Sequence, residues 1–296
     1  MINSNTVYLL DASIYIFRAW FGYPDTIVDS EGRSVNAVYG YWRQLLTGLA
    51  EHRPVRMLAA FDESLFSGFR HQLYPDYKAN RALPDDALAY QLTLCRQLTE
   101  LLGICCRASQ VYEADDVIYS AALVARQAGW PVDVVTRDKD LAQIVGEGDA
   151  WCDWHSGSRL GHAQLTEKWG VTPYQIPEVL ALAGDAVDNI PGVPGVGLKT
   201  AVSLVQHFGN LETLFTGLDQ LPSLKIRGGS ALKTRLLEHS ASALLYRELV
   251  RLHQADCDIR PDDLQLTMPA SVIVRDALAG WGLGKGFLRE WERISA

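Results

Sequence analysis

The sequence predicts an α/β protein, with a parallel-sheet core followed by a mainly helical subdomain. Short β-branched runs alternate with longer helical patterns over the first two thirds of the chain, as in βαβ units. After about residue 160 these runs stop, and helical segments follow one another, separated by Gly or Pro. The 296 residues, 48% of them hydrophobic, are enough to bury a large core.

Five runs are predicted to be strands and to form the sheet: Val7–Leu10, Val55–Phe61, Ile104–Arg107, Val132–Thr136 and Ala150–Trp154. Between them, apolar residues recur at spacings of three and four from Asn36, which we expect to cap that helix. The later helices are predicted at 117–128, 163–169, 175–183, 198–208 and 231–252. We therefore expect a core over 1–160, with an exposed excursion at 63–90, and a helical subdomain over 161–296.

Composition excludes several classes of protein. The N-terminus has no basic residue before Arg18, and no apolar run reaches the roughly 18 residues that a membrane span needs. The five cysteines form no CxxC and the seven histidines no HxxxH, which argues against a disulfide framework or a zinc site. We expect a cytoplasmic protein that does not interact with membranes.

Acidic residues follow three of the predicted strands. Asp11, Asp62 and Asp138 each stand at or just beyond a strand's carboxyl end. Ligands of open parallel sheets bind outside these ends, so the three carboxylates should converge on one crevice.

Other acids join them in three short groups, giving nine candidates: Asp11, Asp62, Glu113, Asp115, Asp116, Asp138, Asp140, Asp185 and Asp188. The group at 113–116 would open a helix, and the spacing of Asp185 and Asp188 would place both on one helical face. Each group alone is weak evidence, because acids at helix starts are usually caps. Together, without Lys or Arg partners, such charges repel by about 4 kcal/mol per pair at about 4 Å, which favours a bound cation. Oxygen ligands favour Mg²⁺ or Mn²⁺, and two such ions can catalyse phosphoryl chemistry.

A glycine-rich segment at 190–200 resembles a Walker A loop but does not match it, because Leu198 stands before Lys199 and a helix precedes it. We interpret residues 184–208 as a helix-hairpin-helix, whose backbone N–H groups bind phosphodiesters. An ordinary turn between helices is the alternative. The candidate contacts are Gly192, Val193, Gly195, Val196, Gly197, Lys199 and Thr200.

Aromatic and basic residues interleave in the excursion at 63–90. Rings stack on unpaired bases while cations meet phosphates, which would make Arg70, Tyr77, Lys78 and Arg81 nucleic-acid contacts. A surface loop pinned by two or three buried rings is the alternative interpretation. Cations beside a carboxylate-metal centre would also stabilise transition-state charge.

Four ordered motifs resemble the 5′-nuclease family, that is, the 5′→3′ exonuclease domain of bacterial family-A DNA polymerases and the flap endonucleases. They are YKANR (77–81), YEADDV (112–117), RDKDLAQIV (137–145) and GDAVDNIPGVPGVGLKTA (184–201). The resemblance implies a PIN-like nuclease core followed by a helix-hairpin-helix region. Arg137 departs from the family's usual small residue, and we expect it to alter access to the metal edge.

The resemblance also implies roles for individual residues. Asp62, Glu113, Asp115 and Asp116 would bind one Mg²⁺ ion and Asp140, Asp185 and Asp188 a second, with Asp138 between them and Asp11 beside them. Lys78 and Arg81 match a basic pair at the base of a helical arch that the 5′ strand passes. With Asp11 and Asp138, this pair forms the predicted catalytic set. The hairpin would bind duplex DNA and, through its carbonyls, K⁺.

We therefore expect a metal-dependent 5′→3′ exonuclease or 5′-flap endonuclease that acts on DNA in replication or repair. Because the sequence ends at Ala296, we expect a free-standing enzyme. We also expect it to be a monomer. Two alternatives are a junction-binding protein that does not cut and an RNA-directed PIN-type ribonuclease.

Overall fold

The sheet has one more strand than the sequence predicts. The computed structural model describes residues 5–64, 68–81, 83–223 and 229–295. Its strands are β1 (Val7–Asp11), β2 (Arg56–Ala60), β3 (Cys105–Arg107), β4 (Val132–Val135), β5 (Ala150–Asp153) and β6 (Ser158–Gly161). They lie in the order β3-β2-β1-β4-β5-β6; the first five are parallel and β6 is antiparallel to β5. The predicted parallel sheet is confirmed, whereas β6, which contains no β-branched residue, gives no strand signal.

The helices follow the predicted alternation. They are α1 (Ala12–Gly22), α2 (Asn36–His52), α3 (Phe69–Leu73), α4 (Asp86–Leu101), α5 (Ala114–Gln127), α6 (His162–Trp169), α7 (Ile176–Ala183), α8 (Leu198–Phe208), α9 (Leu211–Thr216), α10 (Gly229–Glu238), α11 (Ser240–Val250), α12 (Ser271–Gly280) and α13 (Lys285–Ser295). The single helix predicted at 231–252 is wrong, because α10 ends and α11 begins around His239, where no Gly or Pro marks the break.

The prediction that Asn36 caps α2 is also wrong. The cap residue is Val35, and the side chain of Asn36 accepts no capping bond from the helix. Its Nδ2 instead donates to the carbonyl oxygens of Trp20 and Tyr23, at 2.9 and 3.0 Å. Asn36 therefore ties the end of α1 to the start of α2, a long-range role that local spacing cannot reveal.

Both faces of the sheet are covered. One face packs against α1, α2 and α4, and the other against α5 and α7; a third apolar cluster joins α7 to α10. The last two helices, α12 and α13, return to the first face. There the rings of Trp42 and Trp291 stack with their centroids 6.4 Å apart, and Trp42 Nε1 donates to Phe287 O at 3.0 Å.

Strand order decides where a ligand can bind. The chain runs outward from β1 to β2 and β3, then returns to β4 on the other side of β1. A doubly wound sheet opens a crevice at such a reversal, at the carboxyl ends of the two strands concerned. Here those ends carry Asp11 and, after β4, Asp138. Among the described helices, none is long and apolar enough to cross a membrane.

Candidate active site

The three acids that follow strands do meet at this crevice. Thr136 links two of them, because its Oγ1 donates to Asp11 Oδ2 at 2.9 Å and accepts from the Asp138 N–H at 2.9 Å. Asp62 is fixed by its own N–H, which donates to Ser13 Oγ at 3.1 Å. One pocket is lined by Asp11, Asp62, Glu113, Asp115, Asp138, Lys78 and Arg81. The predicted convergence of carboxylates is therefore present for five of the nine.

Asp116 lies apart from this pocket. It is fully buried in the first turn of α5, where Oδ1 accepts from Arg70 Nη2 and the His253 N–H, both at 2.8 Å. Its Oδ2 accepts from Arg70 Nη1 at 2.5 Å and from the Glu113 N–H at 3.1 Å. With every bond made inside the protein, Asp116 holds the start of α5 in place and does not reach the pocket.

Arg70 and Tyr77 are buried, each only 2% exposed. Arg70 also donates to the carbonyls of Leu249 and Arg251, at 2.7 and 3.0 Å. The Tyr77 hydroxyl donates to Glu113 Oε2 at 3.0 Å. Of the two interpretations of the 63–90 segment, the structure favours pinning by buried groups for this pair; residues 65–67 and 82 lie outside the described residues.

Lys78 and Arg81 reach the pocket, and both are paired. Lys78 Nζ lies 2.7 Å from Glu113 Oε1, and Arg81 Nη2 lies 2.6 Å from Asp188 Oδ1, with Arg81 still 44% exposed. Similarly, Lys139 Nζ lies 2.8 Å from Asp185 Oδ2. The assumption that the acids lack basic partners is therefore wrong for Glu113, Asp116, Asp185 and Asp188. For the other five, the described residues offer no Lys or Arg within 4.0 Å.

The unpaired acids are electrostatically crowded. Burial raises the pKa of Asp11 to about 7, and the charge of Asp138 adds to the shift. Burial, together with Asp138, also raises the pKa of Asp115 and of Asp140 well above the usual range. Glu113 behaves oppositely: burial alone would raise its pKa, but Lys78 and Arg70 lower it to about 2. The pocket therefore favours an added cation.

The donor set fits a hard divalent metal. Asp140 Oδ1 is buried and has no hydrogen-bond partner among the described residues, as expected of a ligand atom, and carboxylate oxygens suit Mg²⁺ or Mn²⁺. Within the described ranges, no three His, Cys, Asp or Glu side chains form a compact metal-binding group. Arg137 contacts Asp153 at the end of β5, with Nε 3.4 Å from Oδ2.

Asp185 and Asp188 lie in a turn, not on a helix as predicted. Asp185 and Ile190 pair through two backbone hydrogen bonds of 2.8 Å each, and α7 has already ended at Ala183. Gly184, with φ at +81°, starts this turn in a backbone conformation that other residues rarely adopt. The turn places Asp188 beside Arg81. The spacing of Asp185 and Asp188 therefore indicated that the two acids lie near each other, but it wrongly attributed this to a helix.

The hairpin follows directly, between α7 and α8. Gly192 packs on the chain at Gly184, where an added Cβ would lie 2.4 Å from the Gly184 nitrogen. Val193 and Val196 are buried, whereas Gly195, Gly197 and Lys199 are exposed and Thr200 is half-buried. The surface available to a ligand is thus the glycine backbone and the first turn of α8.

Two polar residues that orient these acids are not indicated by any acidic motif. Thr136 and Ser13 carry no charge and belong to no spacing pattern of acids. The one available signal was position, since Thr136 and Ser13 each stand within two residues of a strand end that carries an acid.

Comparison with known families matches most of the chain. The family described as 5′-3′ exonuclease, N-terminal resolvase-like domain, matches residues 6–170. The family described as 5′-3′ exonuclease, C-terminal SAM fold, matches residues 171–271. Helix α12 starts where the second match ends, and α13 lies beyond it.

Two kinds of relative are similar in sequence. A 5′-3′ exonuclease of Aquifex aeolicus is 33% identical over 261 residues, which cover 88% of both chains. DNA polymerase I of Mycobacterium bovis is 36% identical over 267 residues, 88% of this chain but 29% of that protein. The chain thus spans between a quarter and a third of the polymerases that it matches.

Two solved structures share the fold. A bacteriophage T5 flap endonuclease, in a complex with DNA and metal ions, has a TM-score of 0.66 at 18% identity and covers 98% of this chain and all of its own. The catalytic core of Rad2 with a DNA substrate has a TM-score of 0.63 at 14% identity, covering 99% of this chain and 92% of that one. They confirm the predicted fold class, an α/β domain with a parallel-sheet core followed by a helical subdomain.

Proposed function

The chain belongs to the 5′-3′ exonuclease family, and from this premise we propose that it hydrolyses DNA phosphodiester bonds at 5′ ends and 5′-flap junctions. One observation carries the proposal. Five carboxylates line the crevice at the β1–β4 reversal, and four of them, all but Glu113, have no Lys or Arg partner among the described residues; Lys78 and Arg81 line the same pocket. A negatively charged centre flanked by cations is suited to holding metal ions and a phosphodiester together.

We assign the acids to two metal ions, taken to be Mg²⁺ with Mn²⁺ as a substitute. One site would use Asp62, Glu113 and Asp115, and the second Asp140, Asp185 and Asp188, with Asp11 and Asp138 near both. Bound divalent ions would activate water and offset the charge that develops on the phosphate. Asp116 is a positioning residue here, because it accepts directly from the Glu113 N–H at the start of α5 and is itself held by Arg70.

Lys78 and Arg81 would contact the phosphate of the cut bond. In the structure their partners are Glu113 and Asp188, which are assigned above to metal ions. If these carboxylates held metal ions, Lys78 and Arg81 would be available to donate hydrogen bonds to substrate oxygens and to stabilise the added charge. Thr136 orients Asp11 by donating to its Oδ2, and this bond lowers the Asp11 pKa against the larger effect of burial, which raises it.

Duplex DNA would bind at the hairpin. The exposed backbone at Gly195 and Gly197 and the side chain of Lys199 suit contacts to phosphates without base readout. Hairpin carbonyls would hold K⁺. The five cysteines, all free thiols, are consistent with the reducing cytoplasm, and we propose that the enzyme acts there as a monomer.

A labelled 5′-flap duplex tests the proposal. Short 5′ products should form with Mg²⁺ and disappear with excess chelator. Asp138→Ala should lose cleavage yet keep DNA binding, whereas Asp25→Asn, a change at an exposed acid outside the site, should cleave normally. Binding without any cleavage in Mg²⁺ or Mn²⁺ would favour the non-cutting alternative. Faster cleavage of a matched RNA flap would favour the ribonuclease.

A further inference from the structure

Two uncommon backbone conformations meet beside the pocket. Lys78 and Asn189 have φ of +52° and +57°, a left-handed region that residues with a Cβ rarely adopt. Only one other non-glycine residue in the described ranges does so, Arg53, at the end of α2. Such conformations persist when surrounding contacts hold them, and they cluster at functional sites.

The contacts that hold them run between the segment 76–81 and the turn 186–189. Asn189 Nδ2 donates to the Asp76 carbonyl at 2.7 Å, and the Lys78 N–H donates to the Asp188 carbonyl at 3.0 Å. Asn80 Nδ2 adds a longer bond of 3.4 Å to the Ala186 carbonyl. We call this set of three hydrogen bonds the asparagine clamp. It joins parts of the chain more than 100 residues apart.

Each side of the clamp is connected to a part of the proposed site. On one side Lys78 reaches Glu113, and its side chain lines the pocket. On the other side, the Asp185–Ile190 pair closes the turn, and the hairpin begins at the next residue. A shift of the turn would therefore move the backbone of Lys78 directly.

We propose that Asn189 is a positioning residue that sets Lys78 over the pocket by fixing the left-handed backbone on both sides of the clamp. The inference rests on the proposed function, in which Lys78 contacts the phosphate. Asn189 itself is exposed and makes no contact with the acids, so its effect passes through Lys78. Asparagine suits the role because it tolerates positive φ and carries the donor that Asp76 needs.

Asn189→Gly tests this without imposing backbone strain, because glycine keeps access to positive φ while losing the donor. We expect the single-turnover rate on a 5′ flap to fall by about 10- to 100-fold, since a small misplacement of a catalytic group costs that much. DNA affinity, measured in Ca²⁺, should change less than twofold. Asn210→Gly is the matched control: it removes a 2.8 Å cap of α9 far from the clamp and should leave the rate unchanged.

A double-mutant cycle separates positioning from general stability. If Asn189 acts through Lys78, then Asn189→Gly should have no further effect on the rate in a Lys78→Ala background. A purely structural role predicts that the two losses multiply, and that outcome would overturn the proposal. An unchanged rate for Asn189→Gly alone would overturn it as well.

A third measurement does not depend on cleavage. Lys78 is buried against Glu113, so an amine-reactive ester should label it slowly, as read by peptide mass spectrometry. In Asn189→Gly its labelling should rise several-fold, while labelling of the exposed Lys199 stays constant. Unchanged labelling of Lys78 would refute the positioning role, whether or not the parent protein cleaves DNA. A parent protein that cleaves nothing would instead count against the proposed function.

Discussion

Arg70→Ala distinguishes a buried structural arginine from a DNA contact. Arg70 is 2% exposed, and its guanidinium makes two bonds to Asp116 and two to backbone carbonyls. Removing it leaves Asp116 buried with only backbone N–H partners, one of them from His253. Breaking a buried ion pair by removing one partner costs roughly 3–5 kcal/mol, so we expect a loss of that size in the free energy of unfolding.

Urea unfolding followed by circular dichroism measures this loss. Arg70→Lys should fall between Ala and the parent, because it keeps the charge but not the two-pronged geometry. Arg275→Ala removes an exposed pair with Glu292 and should cost less than about 1 kcal/mol. Under native conditions the salt dependence of DNA binding by Arg70→Ala should match the parent. A salt slope reduced by about one, with near-normal stability, would show that Arg70 contacts a phosphate and would refute this reasoning.

Three further predictions concern the site and its surroundings. Asp138→Asn should weaken Mn²⁺ binding, measured by calorimetry, because it removes one negative ligand; unchanged affinity would contradict the metal assignment. Lys78→Ala should slow cleavage far more than it weakens duplex binding. Lys199→Ala should do the reverse and lessen the salt slope by about one, and equal effects on both measurements would remove this division. Hydrogen bonds from Arg247 lower the pKa of Glu212 to about 2. The ionised Glu212 carboxylate therefore contributes stability above about pH 4.5, and this contribution is lost as pH falls toward 2. The difference in unfolding free energy between Glu212→Gln and the parent should vanish over that range.

The strand ends were predictable because a parallel sheet is a strong constraint. Once five buried runs are identified, their carboxyl ends share one edge, and the acids that follow must lie near one another. Asp11, Asp62 and Asp138 needed no further information. The reversal in strand order at β1 and β4 was not predicted, since strand order depends on packing between elements distant in sequence.

Partners across long separations could not be predicted. Arg70 and Asp116 are 46 residues apart, and nothing in the spacing of either residue indicates that they pair. As a result, the sequence predicted that the buried Arg70 contacts DNA and that its partner Asp116 binds metal. The Asp185–Asp188 spacing suggested a helix face, but Gly184 ends the helix first and a turn delivers the same neighbourhood.

Helix α13 covers apolar surface that stays exposed while the rest of the polypeptide is being synthesised. The indole of Trp42, from the first sixth of the chain, is completely buried, and Trp291 lies against it near the far end. While the ribosome is still making the intervening residues, that apolar surface is uncovered and open to unwanted association. All nine candidate acids lie within the first 190 residues, so they are synthesised before α13 is available to cover Trp42.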